Sequence, residues 1–155
     1  MSALFFINLP IEKFMDMEPL KVSPGEWDGT LLGEVKIGFP SPAEDCREEF
    51  DLKSLVVRHP AATFYFVVDG CSMVDAGMDD GDIIVVDKSL EPYDGCKAIC
   101  YLDGGYTVKK VSLGGDGITL LPMNGDSGRF RPIKVSPEDR FTVWGVVTYV
   151  IKKIR

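Results

Sequence analysis

Tyr106-Thr107-Val108-Lys109-Lys110-Val111 is the stretch on which the fold turns. It is rich in β-branched and aromatic residues, and Gly104-Gly105 precedes it, as expected of a strand entered from a tight turn. Successive strand side chains point to opposite faces, so Lys109 and Lys110 must diverge, one inward and one towards solvent. A solvated strand edge is the alternative for such a lysine pair. Working outward, segments of the same kind occur at 63–68, 82–87, 97–102, 118–122, 133–135 and 141–151. Turn pairs fall between them at Asp69-Gly70, Asp80-Gly81, Asp94-Gly95 and Gly104-Gly105. Short strands at this spacing predict a mainly β chain, a compact folded-over sheet or small barrel. One helix interrupts the pattern. Ser41-Pro42-Ala43-Glu44 combines a capping Ser, a Pro at the first helical position and a Glu three residues after the Ser, which predicts a helix over 45–57 that ends before Pro60. Residues 1–37, broken by Pro10, Pro19, Pro24, Gly25, Gly29 and Gly33, read as an extended N-terminal arm. The compact domain then occupies residues 38–155.

Composition bounds what such a chain does. Its 155 residues suffice for one ordinary domain, and 45% hydrophobic content supplies the core. Twenty-four Asp and Glu against 17 Lys and Arg give a net charge of −7, which argues against direct binding to nucleic acid or to an anionic membrane face. No run approaches the ~20 apolar residues needed to cross a bilayer, and residues 1–10 lack the basic start and small-residue exit of a secretory signal. The four cysteines, Cys46, Cys71, Cys96 and Cys100, are too sparse for a disulfide scaffold and fit reduced thiols in the cytoplasm.

Several side chains are candidates for chemistry. Ser72, in Asp69-Gly70-Cys71-Ser72-Met73, follows an apolar strand and sits beside a glycine, where a tight turn can present both its hydroxyl and neighbouring N–H groups. A turn serine bonded to its own backbone has the same local signature. A nucleophilic serine needs a base, and the single histidine, His59, stands before Pro60 at the end of the expected helix, where a capping or packing role competes with catalysis. Lysine can act instead if burial keeps it neutral. Bringing its pKa from about 10.4 to near 7 amounts to roughly 4–5 kcal/mol of destabilised charge, within what burial supplies. Lys109 meets that requirement if it is the inward member of its pair. Metal and cofactors are not expected: Cys96 and Cys100 have no second pair and no nearby histidine, and the glycines lie in hairpin turns and not in a phosphate loop.

Taken in order, these motifs resemble those of the UmuD branch of the LexA-like self-cleaving serine peptidases. Gly38-Phe39-Pro40-Ser41-Pro42-Ala43 is similar to the segment after that family's cleavage point, and His59-Pro60-Ala61-Ala62-Thr63 to its lead-in to the nucleophile. Gly70-Cys71-Ser72-Met73 resembles the serine motif, Asp80-Gly81-Asp82 the next turn, and Tyr106 to Lys110 the lysine motif. Leu121-Pro122-Met123-Asn124 and Gly145-Val146-Val147 match later landmarks. The resemblance implies a LexA/UmuD-like peptidase domain in which Ser72 is the nucleophile, Lys109 the general base, and the N–H groups of Cys71 and Ser72 the oxyanion hole. It implies self-cleavage at Ile37-Gly38, removing or displacing the arm, with activation by a RecA filament on single-stranded DNA. A processed homodimer would then join a UmuC-like translesion polymerase in the SOS response to DNA damage. Two residues depart from the family pattern. Ile37 stands where Cys or Ala is usual and is bulkier beside an attacking hydroxyl, which leaves Leu32-Gly33 as a fallback bond. Cys71 stands where Asp is common. The alternative function is a noncatalytic dimerisation and polymerase-binding module that keeps the peptidase fold.

Overall fold

The computed structural model describes residues 29–31 and 48–155. Gly29–Leu31 (β1) pairs antiparallel with Glu48–Phe50 (β2), with Gly29 opposite Phe50 and Leu31 opposite Glu48. A five-residue helix, Leu52–Val56 (α1), follows. Seven strands come next: Thr63–Val67 (β3), Ile83–Asp87 (β4), Lys97–Leu102 (β5), Gly105–Gly114 (β6), Gly117–Leu121 (β7), Ile133–Lys134 (β8) and Phe141–Ile151 (β9). They form one antiparallel sheet in the order β3-β4-β9-β5-β6-β7-β8. The mainly β, folded-over expectation is borne out, and each of the seven segments anticipated between residues 63 and 151 is a strand.

The helix requires a correction. Residues 48–50, expected to be helical, are a strand whose backbone is taken up by β1, and the helix starts only after Asp51. Asp51 is extended (φ −109°, ψ 96°) and its carboxylate accepts the Ser54 N–H at 3.1 Å, so it supplies the N-cap itself. The proposed capping segment at Ser41 and Glu44 lies outside the described residues, as do the Ile37-Gly38 bond and most of the arm. The β5–β6 turn is also displaced by one residue. Asp103 and Gly104, at φ 45° and 93°, form the two-residue loop and Gly105 already pairs with Leu102. Two positive φ values match the twist of a hairpin and explain the Asp-Gly choice.

Both faces of the sheet centre are covered. Ile84, Val85 and Val86 are consecutive on β4 and all fully buried, as are Ala98, Ile99 and Cys100 on β5. Strand alternation allows this only if the sheet curls so that each face meets other chain. Register shifts against β9 at Val85/Val86 and at Ile99/Cys100 supply the bends. One core gathers Phe66, Val68, Met73, Ile84, Ile99 and Val108, and the other Cys96, Ala98, Cys100, Val111, Leu120 and Val146. Each fully buried aliphatic side chain of this size contributes about 1.5–3 kcal/mol. Cys96 and Cys100 are thus free thiols of the second core, as small core residues should be.

Candidate active site

Ser72 and Lys109, 37 positions apart, meet in the interior. Ser72 is 0% exposed and Lys109 4%, and Lys109 Nζ lies 3.0 Å from Ser72 Oγ. The serine is delivered by the loop after β3. Gly70, at φ 110°, turns the chain, and its N–H donates to Asp80 Oδ1 at 2.8 Å. On the other side of the loop, the Met123 N–H donates to the Ser72 carbonyl and Asn124 Nδ2 to the Cys71 carbonyl, both at 2.8 Å. Both carbonyls of the dipeptide are therefore engaged. Among the described residues no acceptor is assigned to the N–H of Cys71 or Ser72.

The lysine is delivered by β6. On this strand Tyr106 and Val108 enter the first core, while Val111, on the face of Lys109, enters the second. Parity forces Lys109 and Lys110 apart as expected, but the in-or-out picture needs amendment. β6 is covered on both faces over Val108 to Val111, and Lys110 is half-buried on the Val108 face. Lys109 faces Ala98 across the β5 pair. Its amine donates to Thr107 Oγ1 at 2.8 Å and to the Val108 carbonyl at 3.0 Å. A neutral amine has two N–H groups and one lone pair, so these two acceptors leave the lone pair for the Ser72 hydroxyl proton.

Electrostatics favours that neutral form. Burial pushes the Lys109 pKa down from 10.5 to about 8, and Cys100 acts weakly in the opposite sense. Burial also pushes Cys100 up to about 12, so its thiol carries no charge that would stabilise the ammonium. Every buried side-chain polar atom among the described residues is hydrogen-bonded. Ser72 and Lys109 are thus a hydroxyl and an amine that gives up its proton far more readily than an ordinary lysine, in contact and dry, an arrangement able to generate an alkoxide-like nucleophile.

His59 belongs elsewhere. Its Nδ1 is 2.6 Å from Asp87 Oδ2, and its carbonyl accepts from Ala62 N and Thr63 Oγ1. Burial raises Asp87, but hydrogen bonds from Ser89 and His59 outweigh it and hold the carboxyl below its usual range. In place of a base's contact with Ser72, the half-exposed His59 side chain has this hydrogen bond to Asp87. Thr107 and Asn124 are contributors that the sequence did not single out for these roles. Thr107 is legible in retrospect, because it lies two residues before Lys109 and so on the same strand face. No group of three or more His, Cys, Asp or Glu side chains suited to a metal occurs among the described residues. No helix among them is long and apolar enough to cross a membrane.

Known proteins match this sequence along most of its length. The family described as Peptidase S24-like matches residues 30–148. The chain is 43% identical over 119 residues to Protein ImpA of Escherichia coli, covering 76% of this chain and 79% of that protein. It is 41% identical over 119 residues to Protein SamA of Salmonella typhimurium, covering 76% and 80%. It is similar at 31% identity over 150 residues to the LexA repressor of Stenotrophomonas maltophilia, covering 94% of this chain and 66% of the repressor.

Proposed function

This chain belongs to the S24-like peptidases, in the UmuD-like branch of the LexA-related, self-cleaving serine peptidases, and on that premise we propose that it cuts its own arm with a Ser72–Lys109 dyad. The observation that carries the reading is the 3.0 Å contact between Lys109 Nζ and Ser72 Oγ, with both side chains buried. Ser72 Oγ attacks the Ile37 carbonyl while its proton passes to Lys109 Nζ. The N–H groups of Cys71 and Ser72 stabilise the resulting oxyanion. Collapse breaks the Ile37–Gly38 C–N bond, and Lys109 returns the proton to the departing Gly38 amine. A water then loses a proton to Lys109 and attacks the acyl-Ser72 ester, which releases residues 1–37 and restores the hydroxyl.

The chain is its own substrate, so recognition need not be elaborate. A tethered segment reaches the site at an effective concentration of order millimolar. By likeness to the branch, a RecA filament on single-stranded DNA promotes docking of the scissile segment. The processed domain, residues 38–155, acts as a cytoplasmic homodimer and accessory subunit of a UmuC-like translesion polymerase in SOS mutagenesis. The net charge of −7 supports an indirect link to DNA through those proteins.

The test is incubation of the full-length protein at alkaline pH, with and without RecA filament, followed by mass spectrometry. The expected product begins at Gly38. Ser72→Ala and Lys109→Ala should remain intact, and Lys110→Ala should still be cut. Identical uncut chains for wild type and Ser72→Ala, even with activated filament, would remove the peptidase reading and leave the noncatalytic module.

A further inference from the structure

On the side of β4 and β9 where α1 ends lies a concavity of about 380 Å³. Its size falls within the range of ligand pockets. Val56, Leu90 and Val146 give it an apolar floor, and Tyr93 and Tyr149 flank it. Arg58 and His59 stand at its polar side. Arg58 makes no ion pair among the described residues. His59 is clamped through Nδ1 by the buried Asp87 carboxylate, which Ser89 fixes in turn through its N–H at 2.8 Å and its Oγ at 2.6 Å. The ring is thereby held with Nε2 as its available edge, and the side chain is 51% exposed. A guanidinium and an oriented imidazole beside an apolar floor fit a carboxylate carried next to flexible apolar side chains.

The chain contains such a segment, and nothing in the dyad chemistry uses it. Residues 14–20 read Phe-Met-Asp-Met-Glu-Pro-Leu: two carboxylates, Asp16 and Glu18, interleaved with Phe14, Met15, Met17 and Leu20. Methionine side chains adapt to irregular apolar floors and pack well against aromatic rings such as those of Tyr93 and Tyr149. The tether also suits. Residue 29 is fixed opposite Phe50, Asp51 caps α1, and α1, about 7.5 Å long, ends at the cavity wall with Val56. The nine Cα-to-Cα steps from position 20 to position 29 span up to roughly 30 Å, more than that path requires.

We propose that the acidic, methionine-bearing segment 14–20 docks in the Arg58–His59 cavity of its own chain, as an anchor for the arm at a place separate from the Ser72–Lys109 site. The anchor does not depend on the peptidase reading. The test is hydrogen exchange of the full-length Ser72→Ala protein, which cannot be shortened by the proposed cleavage. At a millimolar effective concentration and a segment affinity near 100 µM, the amides of residues 14–20 should exchange about tenfold more slowly than in an unbound peptide. Arg58→Glu should abolish that slowing while β5 and β9 remain as protected as before. Combining it with Asp16→Lys and Glu18→Lys should restore the slowing. Free exchange of 14–20 in the unaltered arm, slowing that survives Arg58→Glu, or no restoration by the charge swap would each overturn the proposal. Slowing that disappears on dilution would assign the cavity to the segment of a second copy and overturn the assignment within one chain.

Discussion

Cleavage should track the ionisation of one buried amine. With Lys109 at about 8, roughly one molecule in ten carries the neutral base at pH 7, half at pH 8 and nine in ten at pH 9. An ordinary lysine at 10.5 would supply about one in three thousand at pH 7, so burial makes the base about 300-fold more available. The rate of arm cleavage, followed by loss of the full-length band from pH 6 to 10.5 at constant ionic strength, should rise with unit slope to about pH 8 and then level off. The total gain from pH 7 to the plateau should be about tenfold. A unit slope that continues unbroken through pH 10 would refute the assignment, because it would place the base at an unperturbed lysine or at hydroxide. A flat profile would refute it equally.

The same shift has a stability consequence with a definite sign. The folded state holds Lys109 at about 8 and the unfolded chain near 10.5, so folding is penalised by about 3 kcal/mol below pH 8, and the penalty fades as pH rises to 10.5. Lys109→Met should therefore unfold at higher denaturant concentration than wild type at pH 7, with the difference shrinking above pH 8; equal stability at pH 7 would contradict the burial cost. Thr107→Val removes the acceptor 2.8 Å from the amine. It should lower the plateau rate by about tenfold and move the midpoint to lower pH, since the ammonium loses more than the amine does; a rate profile superposable on wild type would count against the contact. Gly145→Ala would bring a Cβ within 2.6 Å of Val86 Cγ1 between β4 and β9. Overpacking of that kind costs about 1–3 kcal/mol, measurable by denaturant unfolding, and a change below about 0.5 kcal/mol would be too small for the clash.

The strands were legible because their signals are local. Alternation and Asp-Gly turns located β3 to β9, and the 97–102 and 141–151 boundaries coincide with β5 and β9. β1 and β2 were not legible, since three residues carry no period and their pairing spans the chain from Gly29 to Phe50. The helix was overextended because a Ser-x-x-Glu pattern is as local as the Asp51 cap, and only the pairing of Glu48–Phe50 decides between them. At the site, parity established that Lys109 and Lys110 separate, yet which of them is dry depends on how the sheet curls. The contact of Lys109 with Ser72 came from family likeness, because no period links positions 37 residues apart. The bracing of the serine loop by Met123 and Asn124 is a meeting of two loops, for which sequence has no comparable rule.

These magnitudes restrict where control of the reaction can reside. If about a tenth of the amine is already neutral at pH 7, complete deprotonation can add no more than about tenfold. Any activator that accelerates cutting further at that pH must act on how often the scissile segment reaches Ser72, or on the chemistry after it arrives. The β1–β2 ladder bears on the first of these. It brackets residues 32–47, fixing both ends of the segment that holds Ile37-Gly38 by three residue pairs in a two-stranded sheet. Such a sheet is marginal alone, so its making and breaking costs little and is open to a bound partner. An activator that changed the free-energy difference between docked and undocked segment by about 2.7 kcal/mol would change the docked-to-undocked ratio a hundredfold, without altering the dyad. The dry amine incurs its cost once, at folding, whereas docking is decided anew each time the segment approaches, which makes docking the step through which an activator can act.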